Sequence, residues 1–228
     1  MRVHVAFTPA ETAAVRTAIV VDVIRATSTV VQALAGGYRR VFCCAEIEEA
    51  KALRDELGDA LLAGERKGRP IPGFDFGNSP LEFLEPRAET LVLTTTNGTR
   101  AIVEAAARCD LVLIGSLLNL DAVATAARER GEDVEIVCAG LLGAFALDDA
   151  YCAGRIVERL GGSHTDAAEA AVRLAASFAR AEEAFRTAFD PHGERTDEDI
   201  AWCARENTAP VVARFASMHG PAAEIVGP

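Results

Sequence analysis

Six short apolar runs, all but one followed directly by a helical pattern, constrain this chain most. They are "AIVVDVI" (18–24), "RRVFCCA" (39–45), "DALLAGE" (59–65), "TLVLTTT" (90–96), "DLVLIGS" (110–116) and "VEIVCAG" (134–140). The first is continuous and rich in β-branched residues, as in a strand buried on both faces. "RATSTVVQALAGG" follows it, with Thr27 or Ser28 as the expected N-cap and Gly36 and Gly37 as the stop. "EIEEAKALRDELG", "NGTRAIVEAAAR", "NLDAVATAARERG" and "LDDAYCAGRIVERLGG" are the other helical patterns. Alternation of this kind predicts an α/β fold: three layers, α/β/α, around a largely parallel or mixed sheet, with additional C-terminal helices.

The last third reads differently. Residues 166–189 predict one alanine-rich amphipathic helix, with Ala171, Leu174, Phe178, Ala181, Phe185 and Phe189 on a stripe. The stripe suits packing on the core, and part of it is a candidate homodimer surface. "DPHGERTDED" (190–199) reads as a polar loop, followed by a short helix and a closing strand "PVVARF". We expect a single domain over 1–228, with a site-bearing core in 1–160 and a mainly helical completion in 161–228.

Charge and composition remove several classes of function. The net charge is −11, which argues against a nucleic-acid surface, since backbone phosphates need a basic face. Apolar runs fall well short of the roughly 20 residues that span a bilayer, and "MRVHVAFTPAET" lacks a signal-peptide core. A cytoplasmic location without membrane contact is expected. The six cysteines include no CxxC pair, and five of them sit in or beside apolar segments. They read as buried hydrophobes and not as a disulfide framework. His4, His164, His192 and His219 are scattered, so a zinc site is not expected.

Ligands in open α/β sheets bind beyond the carboxyl ends of the strands, so the residues there matter most. "TTTNGTR" (94–100) leads small hydroxyl residues and a glycine into a helix N-terminus. Free N–H groups and the helix dipole at such an end favour a phosphate or carboxylate. Thr96, Asn97, Gly98, Thr99 and Arg100 are therefore candidate anion-binding residues, although an ordinary capped turn reads the same way. Asp22 stands in an apolar run, where a carboxylate is costly unless paired or bound to metal. Alternatives are an exposed strand end or a structural pair with Arg25.

One run departs from the helical rule. "GERKGRPIPGFDFGNSP" (64–80) can form no regular helix and makes a poor strand. Long irregular loops in compact domains are uncommon and often functional. Glu65 and Asp75 frame it. With Asp22 they would suit Mg2+, which takes oxygen ligands and retains several waters. A metal beside a helix N-terminus and several arginines is what phosphoryl transfer requires. Other phosphatase designs do not match: the chain has no Cys-x5-Arg, no Asp-x-Asp-x-Thr after the first strand and no Arg-His-Gly.

"VVDVIRATST", "GERKGRPIPGFDFGNSP", "TTTNGTRAI" and "CAG…LDDAYCAG" occur here in order. In these motifs the chain resembles the 2-phosphosulfolactate phosphatases of coenzyme M biosynthesis over roughly residues 18–155. The resemblance implies a Mg2+-dependent acid phosphatase that converts (2R)-2-phospho-3-sulfolactate to (2R)-3-sulfolactate and phosphate. Its substrate is a small phosphorylated 2-hydroxy acid. Carried over by motif, the candidates are Asp22, Arg25, Thr27, Ser28, Glu65, Arg66, Asp75, Asn78, Ser79, Asn97, Thr99 and Arg100. Asp149 also matches and joins Asp22, Glu65 and Asp75 as a candidate metal ligand. The run Leu141–Leu147 departs from the pattern, with leucines at polar positions and Ala146 where a Ser is usual. The substrate is therefore open to other small phosphorylated acids. A binding protein that has lost catalysis on the same scaffold is the alternative. The attacking group is either water at the metal or a side chain such as Asp22 or a cysteine.

Overall fold

The computed structural model describes residues 1–12 and 15–227. In chain order the strands and helices are β1 (Arg2–Ala6), β2 (Thr17–Val21), α1 (Ala26–Gly36), β3 (Arg40–Cys44), α2 (Ile47–Leu57), β4 (Ala60–Arg66), β5 (Arg69–Pro70), β6 (Thr90–Thr94) and α3 (Gly98–Ala106). They continue with β7 (Leu111–Gly115), α4 (Leu120–Glu129), β8 (Val134–Cys138), α5 (Leu147–Leu160), β9 (Ser163–His164), α6 (Asp166–Ala176), α7 (Ala181–Thr187), α8 (Asp197–Cys203), β10 (Arg214–His219) and β11 (Ala222–Val226). All six apolar runs become strands. Thr27 and Ser28 do not cap α1. The N-cap is Arg25, and both hydroxyls instead donate back to carbonyls, Thr27 to Asp22 and Ser28 to Val23.

The strands form one mixed sheet in the order β5-β4-β6-β3-β11-β10-β7-β2-β8-β1-β9. β4, β6 and β3 are parallel, as are β7, β2, β8, β1 and β9. Between these blocks lies the antiparallel hairpin β10-β11, joined antiparallel to β7 and to β3. The segment 161–228 thus adds a hairpin to the middle of the sheet as well as helices. Its polar composition hides this: β10 is mostly exposed, and only β11 is well buried.

Alternation along the strands sorts the core into layers. Val20, Val41, Leu91, Leu93 and Ile114 face α1 and α3, with Val30, Ala101 and Ile102 among the contacts. From the opposite face Ile19, Val21 and Ile136 meet α4, α5 and α6, while Phe42, Leu62 and Val92 meet α2. This is the expected three-layer arrangement. Fully burying each such Val, Leu or Ile contributes roughly 1.5–3 kcal/mol.

The single helix expected over 166–189 is two helices, α6 and α7, broken between Ala176 and Ala181. Ala171 and Phe185 are buried, Leu174 and Phe178 pack on the core, and Phe189 stays 74% exposed. The break lets α7 turn so that Phe185 meets Tyr151 edge-on at 5.8 Å.

Candidate active site

A cavity opens where loops following β2, β4, β6 and β8 converge, and the loop between α7 and α8 completes it. Its walls include Asp22, Ile24 and Arg25 after β2, Glu65 and Lys67 at the end of β4, and Thr96 and Asn97 before α3. Leu141 and Leu142 follow β8, and Asp190, His192, Glu194 and Arg195 come from the α7–α8 loop. Four carboxylates, Asp22, Glu65, Asp190 and Glu194, face three permanent cations, Arg25, Lys67 and Arg195.

Asp22 lies at the start of the turn into α1. Its Oδ1 accepts a hydrogen bond from Ala26 N at 3.3 Å, and it is 9% exposed. Burial first, and then the charge of Glu65, push its acid up to about 7. Gly98, the first residue of α3, packs directly against this carboxylate, because a Cβ there would fall 2.5 Å from Asp22 Oδ2. The N-termini of α1 and α3 therefore both meet Asp22.

Glu65 is reached through Gly64, whose φ of +151° and 2.0 Å Cβ clearance to Thr94 O admit glycine alone. Lys67 and Gly68 both have positive φ, the signature of a tight hairpin turn, and they join β4 to β5. The turn folds its own amide onto Glu65: Gly68 N donates to Oε2 at 2.6 Å. Thr96 donates from its N to Oε1 at 2.7 Å and from its hydroxyl to Oε2 at 3.1 Å. The carboxylate is fixed by three donors, two on Oε2 and one on Oε1, which leaves a lone pair open on Oε1.

The rest of "GERKGRPIPGFDFGNSP" runs back along β4. Asp75 N and Phe76 N donate to Leu62 O, and Gly64 N donates to Gly77 O. It delivers Asn78 to the cavity wall, where Asn78 is 5% exposed and its Oδ1 has no hydrogen-bond partner. Asp75 does not reach the cavity lining. It is exposed, and its Oδ2 accepts from Leu62 N at 2.8 Å. Ser79 caps the 3-10 turn Pro80–Phe83 and donates its hydroxyl to Asp199. The other Asp199 oxygen accepts from Arg25 Nη1 at 2.7 Å.

Other sequence candidates hold the scaffold outside the lining. Thr27 and Ser28 are fully buried, and Ser28 shares a hydrogen bond with Ser116 at 2.8 Å. Thr99 bonds to Thr95 within the turn into α3. Arg66 turns to backbone carbonyls of Glu65 and Ala45 and to Thr94 Oγ1. Arg100 pairs on the surface with Glu46. Asp149 is a strut: its two oxygens accept from Val23 N and Gly140 N, tying the turn after β2 to the turn after β8. Burial, then Asp148 and Asp22, hold its acid well above the usual range. Asp22 and Glu65 thus share the cavity, while Asp75 and Asp149 lie apart. Among the described residues no group of three or more His, Cys, Asp or Glu is gathered to hold a metal ion.

The cysteines do not suit a nucleophile. All six are free and buried, burial raises every thiol, and none lines the cavity. A reactive cysteine needs a stabilised, accessible thiolate.

Sequence reading missed Lys67, His192, Arg195, Asp148 and Asp199. Arg195 Nη2 pairs with the buried Asp148 Oδ2 at 2.9 Å, while Arg195 Nη1 and Asp148 Oδ1 have no hydrogen-bond partner. The available signal was the richness of "DPHGER" in charge, which also describes a plain surface loop.

A sheet-end cavity that joins buried carboxylates to guanidinium groups and helix N-termini is the kind of pocket in which α/β enzymes take small anions. Comparison with known proteins gives the class its family. The model described as 2-phosphosulpholactate phosphatase matches residues 5–217, well beyond the span of the motifs. A probable 2-phosphosulfolactate phosphatase of Clostridium acetobutylicum is 49% identical over 145 residues, covering 62% of this chain and 61% of that protein. The 2-phosphosulfolactate phosphatase of Methanothermobacter thermautotrophicus is 40% identical over 83% of this chain and 82% of its own. A probable one from Thermotoga petrophila is 38% identical over 90% and 91%. The chain belongs to the 2-phosphosulpholactate phosphatase family, whose named activity is that of a phosphoric monoester hydrolase.

Proposed function

We propose that this protein hydrolyses 2-phospho-3-sulfolactate, or a closely related phosphate ester of a 2-hydroxy acid, to the hydroxy acid and phosphate. Family membership supports the reaction class. The observation that carries the site assignment is the pairing of buried Asp22 with Glu65 beside the N-terminus of α3.

Mg2+ is the proposed cofactor. The cavity carries more carboxylates than permanent cations, so an anionic substrate would meet net repulsion without an added cation. Mg2+ commonly takes only one or two carboxylates and fills its octahedron with waters and substrate phosphate. Asp22 and Glu65 supply two carboxylates, and the unpartnered Asn78 Oδ1 is a third oxygen of suitable hardness. When bound, the cation would neutralise phosphate charge and lower the cost of generating hydroxide from water.

The chain's own groups have distinct tasks in this reading. The N-terminus of α3 at Asn97–Gly98 donates N–H groups to phosphate oxygens. Arg25, held by Asp199, and Lys67 add positive charge at the same wall. Glu65 is oriented by Thr96 and Gly68, so no reorganisation is needed when substrate arrives. His192, from the α7–α8 loop, lines the same cavity.

Release of inorganic phosphate from 2-phosphosulfolactate and 2-phospholactate, with and without EDTA, tests the proposal. Absence of metal-dependent release from any 2-hydroxy-acid phosphate would overturn it. One observation favours a second reading: Leu141 and Leu142 line the cavity where polar residues are usual in the motif. Binding of sulfolactate without turnover of any ester would support a binding protein instead.

A further inference from the structure

We propose that Arg195 determines specificity by receiving a second acid group of the substrate, a carboxylate or a sulfonate, and not its phosphate. The inference rests on the proposed phosphatase reading and adds the requirement that the ligand carry a second anion.

Arg195 lies in the α7–α8 loop and reaches the cavity from outside the strand ends that supply Asp22 and Glu65. The loop is built to hold it. Asp190 accepts from the N–H groups of His192, Gly193 and Arg195, which fixes the turn. Asp148, 3% exposed at its side chain, then holds one guanidinium nitrogen at 2.9 Å. The other terminal nitrogen, Nη1, is buried and has no hydrogen-bond partner. A buried donor left unpaired is costly, and a guanidinium fork matches the planar oxygens of a carboxylate or the oxygens of a sulfonate.

The phosphate has other partners. The N-terminus of α3 lies against Asp22, and Arg25 and Lys67 share the cavity lining. Arg195 is the remaining cation of the lining, and it alone of the three carries a buried nitrogen with no hydrogen-bond partner. A second anionic group on the ligand finds an unsatisfied donor at Arg195 Nη1. A phosphate ester without such a group leaves Nη1 unpaired.

The test is calorimetric titration of the full-length protein, in Mg2+, with the two product halves separately: inorganic phosphate and 3-sulfolactate. Arg195→Lys keeps the charge but loses the fork. The double variant Arg195→Gln, Asp148→Asn keeps a neutral pair and avoids a buried unpaired carboxylate, so one variant remains measurable if the other unfolds. Sulfolactate affinity should fall about 10- to 100-fold, as for loss of a hydrogen bond to a charged group, with phosphate affinity unchanged. Equal loss of phosphate affinity would make Arg195 a phosphate contact and overturn the inference. So would unchanged sulfolactate affinity, or no sulfolactate binding by the wild type. Because the readout is binding, failure of the phosphatase reading shows separately as sulfolactate binding without turnover of the ester.

Discussion

Gly98 at the head of α3 lies against the carboxylate of Asp22 at the head of α1. A Cβ on Gly98 would stand 2.5 Å from Asp22 Oδ2, 2.9 Å from Asp22 Cβ and 2.4 Å from Ala26 Cβ. The two Cβ atoms are fixed to the backbone, so the two helix starts must part to admit a methyl group. Gly98→Ala should cost about 1–3 kcal/mol of stability by overpacking and should lower kcat far more than the melting temperature suggests. Near-normal kcat in a folded variant would mean that the contact has no part in the site.

Asp22 gives the protein an unusual dependence on pH. Burial and then Glu65 raise its acid from 3.8 to about 7, so the folded state binds this proton more tightly than the unfolded chain. The stability it contributes is complete below about pH 4 and is lost as the pH rises through about 7. Melting temperatures of EDTA-treated wild type should therefore fall between pH 5 and 8 relative to Asp22→Asn, which has no such proton to lose. Mg2+ should restore stability most at the upper end, because it binds the folded form. Parallel curves for the two proteins would refute the shifted acid.

Glu65 is fixed by donors on both oxygens. In Glu65→Gln the amide nitrogen must face one of those donors. A stability loss of about 1–3 kcal/mol is expected, the cost of a buried polar group left unsatisfied. The response of activity to Mg2+ should weaken as well. A variant that keeps the wild-type Mg2+ titration would exclude Glu65 from the cation's surroundings.

Arg100 supplies a contrast within the motif "TTTNGTR". Its partner is Glu46 at 2.8 Å, and both side chains are about half exposed. Exposed ion pairs contribute about 0–1 kcal/mol. Arg100→Ala should leave phosphate release and its KM unchanged, and a large rise in KM would return Arg100 to the phosphate site.

The legible parts of the molecule are those written in local pattern. β2, β3, β4, β6, β7 and β8 are apolar runs, and Asp22 and Glu65 are acids at the ends of such runs. The hairpin β10-β11 was not legible, because "RFASMH" is exposed along most of its length and lacks apolar alternation. The break between α6 and α7 has no proline or glycine to mark it: the intervening residues are Ser177, Phe178, Ala179 and Arg180. Thr27, Ser28, Thr99 and Arg66 look like ligand groups in a string, yet their hydrogen bonds go to the scaffold. Arg195 escaped because its role depends on Asp148, a partner set by tertiary packing and distant in sequence.

The central claim is that Asp22 and Glu65 form a cation-dependent phosphate-ester site. Its most direct test is the rate of phosphate release from 2-phosphosulfolactate by wild type and Asp22→Asn, after EDTA treatment and on return of Mg2+. EDTA should abolish release, and Mg2+ should restore it in the wild type but not in Asp22→Asn. Release that persists in EDTA, or a near-normal rate in Asp22→Asn, would contradict it.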